Sequence, residues 1–158
     1  MSNKNNLYTS MYLCDNFDVE TNSAKGILDK ICTNDGLCAD FSIAMHVKYI
    51  VPENSKPQNF ICFLFLQNDK KLKKIFEFEI PDKDQDIDRY NLFGVNRVIE
   101  FDDYEFPEKG NYFWKLFVIP EGLYKANFNK EEKIDVLKLF KFLTDNDCLE
   151  NMINLKIE

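Results

Sequence analysis

The chain has 158 residues, of which 45% are hydrophobic and 30% charged, an ordinary globular composition for a single domain that buries about two-thirds of its unfolded surface. Its net charge is −7 and it carries no basic stripe, which argues against nucleic-acid binding through phosphates. No apolar run approaches the roughly 20 residues of a membrane-spanning helix, and the opening MSNKNNLYTS lacks the apolar stretch and cleavage site of a signal peptide, so a soluble, cytoplasmic protein is expected.

In chain order, short apolar runs alternate with turn signals. Tyr8 to Cys14 is a first predicted strand. Ile27 to Thr33 is a second, closed by Asn34-Asp35-Gly36, a strong turn sequence. Cys38 to Val51 alternates most clearly: Phe41, Ile43, Met45, Val47 and Tyr49 share one face, and Ser42, Ala44, His46 and Lys48 the other. Phe60 to Leu66 is continuously apolar, as expected of a central strand covered on both faces. Asn68 to Lys71 turns it back into Leu72 to Ile80, which predicts an antiparallel hairpin. Val95 to Phe101 and Tyr112 to Ile119 complete the series. In the latter, Tyr112, Trp114, Leu116 and Val118 form one face and Phe113, Phe117 and Ile119 the other, so its rings read as core rather than as a recognition strip.

Seven or more short strands with turns every 8–12 residues or so predict a mainly β protein, an antiparallel β-sandwich spanning about residues 8–122. A helical segment, about residues 129–158, follows within the same single domain. Asn129 and Glu132 match a capping box. Val136, Leu139, Phe140 and Leu143 then fall on one helical face. Ile134, Leu137 and Phe142 lie outside that face and form a candidate partner-binding set, because surplus apolar surface needs cover. The cover is the protein's own sheet, helped by Leu149, Met152 and Ile153, or a second chain, identical or different.

Leu13-Cys14-Asp15, Gly26-Ile27-Leu28 and Phe106-Pro107-x-x-Gly110-x-Tyr112-x-Trp114 together give residues 10–122 a pattern that resembles a family of small bacterial β-sandwich proteins recorded only as a domain of unknown function. The resemblance implies the architecture and carries no activity and no functional residues with it.

Several chemistries can be weighed on residue types alone. Cys32, Cys38 and His46 are soft metal ligands without a CxxC or HxxxH spacing, and the five cysteines read as ordinary thiols. Asp82, Asp84, Asp86 and Asp88 place oxygen ligands at alternate positions, which makes them the candidate calcium site, with Asp102, Asp103 and Glu105 near in sequence. An EF-hand starting at Asp82 fails, since Ile87 and Phe93 stand where Gly and Glu belong. The competing reading is a solvated acidic loop: from Asp82 to Glu108 nine acidic residues face only Lys83, Arg89 and Arg97. Lys70, Lys71, Lys73 and Lys74 cluster at a turn, where lysines guard a sheet edge against pairing. A single histidine, no GxSxG elbow and no glycine-rich phosphate loop leave catalysis little support. The sequence therefore points first to a non-catalytic protein–protein interaction module that needs no cofactor. A sandwich binding calcium or a small ligand through its acidic loops comes second, and a hydrolase third. For the acidic loop, millimolar calcium is expected to leave the melting temperature unchanged. A saturable rise that Asp84→Asn with Asp86→Asn abolishes would instead assign the loop to a cation, because a ligand of the folded state stabilises it by mass action.

Overall fold

A computed structural model describes residues 6–21, 23–33, 36–54, 56–80, 92–128 and 133–158. The described strands are β1 (Leu7–Asp18), β2 (Ser23–Ile27), β3 (Lys30–Ile31), β4 (Cys38–Ile50), β5 (Phe60–Gln67), β6 (Leu72–Ile80), β7 (Leu92–Glu105), β8 (Gly110–Pro120) and β9 (Leu149–Ile157). Helices α1 (Glu121–Asn127) and α2 (Val136–Asp145) lie between the last two. The strands form a four-stranded sheet of order β2-β1-β4-β7 and a five-stranded sheet of order β3-β9-β8-β5-β6. Every pairing is antiparallel except the short β3–β9 pair. The protein is a mainly β, antiparallel-rich sandwich with helix added near its C-terminus. Among the described residues no helix is long and apolar enough to cross a membrane.

Alternation along the strands builds the core. Met11 and Leu13 of β1, with Phe41, Ile43, Met45, Val47 and Tyr49 of β4, meet Phe60, Cys62, Leu64 and Leu66 of β5 and Tyr112, Trp114, Leu116 and Val118 of β8 between the two sheets. The intervening residues of β5 and β8, namely Ile61, Phe63, Phe65, Phe117 and Ile119, are equally buried on the outer side of the five-stranded sheet. There Tyr124, Phe128, Leu139 and Leu143 cover them. The molecule thus has three layers: sheet, sheet and helices. The continuous apolar run of β5 reflects this double cover, and in β8 Tyr112 and Trp114 are core on one face and Phe117 on the other, while Phe113 is only half-buried.

Helix α2 presents the expected stripe. Leu139 and Leu143 are fully buried, and Val136 and Phe140 pack beside them. Phe140 lies edge-on to Phe65 and to Phe117, with ring centroids 5.4 Å apart in both pairs. The helix starts later than predicted. Its N-cap is Asp135, whose carboxylate accepts from the main-chain N–H groups of Leu137 and Lys138. Residues 133–135 are not helical, and the expected capping box at 129–132 lies outside the described residues. An acidic N-cap satisfies orphan amides and complements the helix dipole as the distant box would have done.

Three further departures have physical causes. Within the expected helical segment 129–158, the described residues 133–158 are helical only over α2, because Ile153, Leu155 and Ile157 alternate with Asn154 and Lys156, a period of two that β9 uses to fill the space beside β8. The expected strand Ile27 to Thr33 divides between the sheets. Gly26 takes φ +66°, where a Cβ would approach Asp15 Oδ2 to 2.5 Å. Leu28 N–H still bonds Leu13 O, and Ile31 then enters the core beside Ile157 in the other sheet. Helix α1 is unannounced, a seven-residue turn of chain after Pro120 that buries Tyr124.

Trp114 is completely buried, and its indole N–H has no hydrogen-bond partner among the described residues. Trp114→Ala is expected to cost ~3–5 kcal/mol in chemical denaturation. Trp114→Phe should cost distinctly less, because it also removes a buried orphan donor. Equal losses for the two would show that the N–H is satisfied.

Candidate functional site

The sandwich has two outer sheet faces, and they differ. Helices cover the outer face of the five-stranded sheet over β8, β5 and β6, leaving Met152 of β9 exposed, whereas the outer face of the four-stranded sheet carries Tyr8, Tyr12 and Ile27 in water. Cross-strand register sets the residues on that open face. Tyr8, Ser10 and Tyr12 of β1 stand opposite Lys48, His46 and Ala44 of β4. Gly94, Asn96 and Val98 of β7 stand on their other side. Small side chains in the middle leave a concavity of about 470 Å3, whose lining includes Ser10, Tyr12, Ile27, Ala44, His46 and Asn96. Ala44 is buried on its floor, whereas Tyr8, Tyr12 and Ile27 are 53%, 47% and 69% exposed. Tyr12 and Ile27 thus border the concavity with exposed apolar surface, and Tyr8 stands further along β1.

One polar row crosses this face: Ser10, His46 and Asn96. His46 Nδ1 is hydrogen-bonded to Asn96 Oδ1, an oxygen that only accepts, which orients the ring on the face. The order Ser, His, Asn is close to a nucleophilic triad, with Asn standing where a serine triad has Asp or Glu. Two features oppose that chemistry. Among the described residues Ser10 and His46 share no side-chain hydrogen bond. Strand β4 is paired on both sides, by β1 and by β7, so its main-chain amides around His46 serve the ladder and not an oxyanion. The row offers hydrogen-bonding groups to an incoming molecule. Ser10, Tyr12 and Asn96 escaped the sequence reading because only register brings them to His46.

Apart from His46, the residues singled out from sequence fall elsewhere. Asp82, Asp84, Asp86 and Asp88 lie outside the described residues. Asp102, Asp103 and Glu105 are on β7, where Asp103 N–H donates to Asp40 Oδ1 at 2.6 Å. Among the described residues no three His, Cys, Asp or Glu side chains converge on a metal-binding position. All five cysteines are free thiols. Burial, reinforced by the Asp103 and Glu105 carboxylates, pushes the Cys38 thiol pKa up and so disfavours the thiolate that would ligate a metal. Cys62 is raised further by burial.

Of the C-terminal set, Ile134 and Phe142 are half-buried against the helix-side core, with Phe142 edge-on to Phe128 at 5.2 Å. Leu137 differs: it is 68% exposed and lines a second cavity beside Lys70, Lys71 and Lys73. No protein-family model matches the chain, and no curated protein is significantly similar to it. The site therefore rests on geometry.

Burial predicts how substitutions on α2 divide. Leu139→Ala is expected to destabilise by ~2–5 kcal/mol, whereas Leu137→Asp should stay within about 0.5 kcal/mol of wild type in thermal or urea melts. Ile134→Asp should fall between them, so only Leu137→Asp tests this helix as a contact surface without disturbing the fold. Comparable losses at Leu137 and Leu139 would contradict the placement of α2.

Proposed function

We propose that the chain is a non-catalytic protein–protein interaction module of the cytoplasm that offers the open face of its four-stranded sheet to another protein or to a second copy of itself. The observation that carries this reading is the asymmetry of the two outer faces. Helices cover the aromatic side of one sheet, while the other leaves Tyr8, Tyr12 and Ile27 in water around the polar row Ser10, His46 and Asn96. Tyrosine gives large, stiff, amphipathic contact area and is enriched at interfaces. Residues projecting from paired strands are also preorganised, so little ordering is needed on binding. The resemblance to bacterial sandwich proteins of unknown function agrees with the architecture and adds no residue role.

A second reading has one specific support. A concavity of about 470 Å3 is of the size that holds a small molecule, and His46 Nε2 and Ser10 Oγ supply hydrogen-bonding groups for one.

Photo-crosslinking separates the two. A benzophenone amino acid replacing Tyr12 in cells that make the protein is expected to give a discrete protein adduct, and the same probe at Asn154, exposed on β9 of the other sheet, is expected to give none. An adduct of twice the chain's mass identifies a second copy. Absence of any adduct at position 12, or equal labelling at both positions, would overturn the interaction reading and favour the small ligand.

A further inference from the structure

The second cavity, of about 420 Å3, lies where β5 turns into β6. Leu66 belongs to the core between the sheets and Leu72 packs against the helix-side core, so the cavity opens where both layers end. Tyr104 of β7 and Leu137 of α2 complete an apolar wall, and Lys70, Lys71 and Lys73 stand around it. On a chain of net charge −7, this is a local excess of positive charge. Lys70 is engaged by Glu108, at 3.1 Å. Among the described residues neither Lys71 nor Lys73 has a carboxylate within ion-pair distance. Lys73 Nζ instead lies 5.7 Å from the centre of the Tyr104 ring, a cation–π placement that holds its charge beside the apolar wall.

The turn that carries these lysines is braced. Asn68, only 9% exposed, accepts through Oδ1 from the N–H groups of Lys70 at 3.1 Å and Lys71 at 2.7 Å. Its Nδ2 donates to Glu108 Oε1 at 3.2 Å. Tyr112 Oη donates to Glu108 O at 2.7 Å and accepts from Glu108 N–H at 3.1 Å. The ammonium groups therefore spring from a fixed base. The same bonds discriminate between anions. A phosphate is best cradled by successive main-chain N–H groups, and here the two available ones are already taken by Asn68. What remains is two flexible point charges above an apolar pocket, which suits separated carboxylates flanking an apolar side chain.

We infer that this cleft binds an acidic segment of a partner protein: one aliphatic or aromatic side chain seats between Leu72, Tyr104 and Leu137, and carboxylates on either side meet Lys71 and Lys73. The inference uses residues distinct from the open sheet face and does not depend on it. It also gives Leu137, which the helix does not need for its own packing, a contact to make.

The test uses the full chain and a fluorescein-labelled peptide with adjacent Leu and Phe at its centre and aspartates on both sides, read by fluorescence anisotropy. Saturable binding is expected, weakening as salt rises from about 0.05 M to about 0.5 M, where the screening length falls well below the cleft's dimensions. Lys71→Glu with Lys73→Glu should weaken it by roughly tenfold or more, as should Leu137→Asp, and so should serines in place of the peptide's Leu and Phe. Tyr12→Asp with Ile27→Asp should leave binding unchanged, so a failure of the open-face reading would not be mistaken for a failure here. Lys71 and Lys73 are exposed, and thermal melts check that each variant folds. Lys71→Gln with Lys73→Gln serves if the charge reversal does not. Absence of saturable binding, indifference to the lysine changes, or equal binding of the serine peptide would overturn the inference. Displacement of the peptide by inorganic phosphate, or by phosphatidylserine vesicles at equal charge, would overturn it in favour of a general anion site or a membrane surface.

Discussion

The arrangement depends on one strand with no polar side. From Phe60 to Leu66 every residue of β5 is buried, four facing the other sheet and three facing the helices. Each large apolar side chain left in water would forfeit about 1.5–3 kcal/mol, so a two-layer sandwich built around this strand would leave Ile61, Phe63 and Phe65 a heavy liability. Phe117 and Ile119 on neighbouring β8 extend the same surface. The chain after β8 answers the demand directly. Glu121 starts α1 at once, Tyr124 and Phe128 cover the near end, and α2 lays Leu139 and Leu143 across the rest. The helices are a consequence of β5, not an appendage to the sandwich.

That requirement also decides which surface remains for recognition. From Ser42 to Lys48 the outward residues of β4 are Ser42, Ala44, His46 and Lys48, small or polar in contrast to the outward residues of β5, with only Ile50 at the strand's end apolar and partly exposed, and they do not call for a third layer. The four-stranded sheet can therefore face water at little cost, with larger tyrosines confined to β1. Its polar row is held by a double ladder, so His46 and Asn96 keep their relation without help from a loop. Recognition groups mounted on paired strands lose precision only if the sheet itself deforms.

How much of this was legible in the chain follows from the range of the forces involved. The alternation in β4, the unbroken apolar run of β5 and the stripe on α2 are local patterns, and each was readable because burial on a strand or helix repeats with the element's own period. The sheet change after Gly26 was not, since Ile27 and Ile31 look equally apolar and only the partner strands distinguish them. In β9 the period of two in Ile153, Leu155 and Ile157 was present but followed a helix and an acidic turn, so its apolar content read as more helix. Asp135, not Asn129, is the N-cap of α2, its carboxylate accepting from the Leu137 and Lys138 N–H groups, and since Asn and Asp cap about equally well the sequence alone does not choose between them. The open-face row was the least accessible, with His46 and Asn96 separated by 50 positions and joined only by strand register. Leu137 was identified as surplus on its helix, but the lysines beside it belong to a turn far back along the chain.

The place of β9 in the sheet order has a consequence for how the molecule is made. It lies between β3 and β8, with Lys156 level with Lys30 on one side and Leu155 level with Tyr112 on the other. During synthesis, β8 emerges with one rim of its backbone unmatched and keeps it so until residues beyond Leu149 have cleared the ribosome. Contacts spanning this much chain carry a loop-closure penalty and slow folding. An unfinished or truncated copy would meanwhile offer that rim to any extended segment nearby, including the corresponding strand of another nascent chain. Strand β9 thus covers the rim of β8, and its arrival moves the open edge of the five-stranded sheet outward to the part of β9 that the two-residue β3 does not pair.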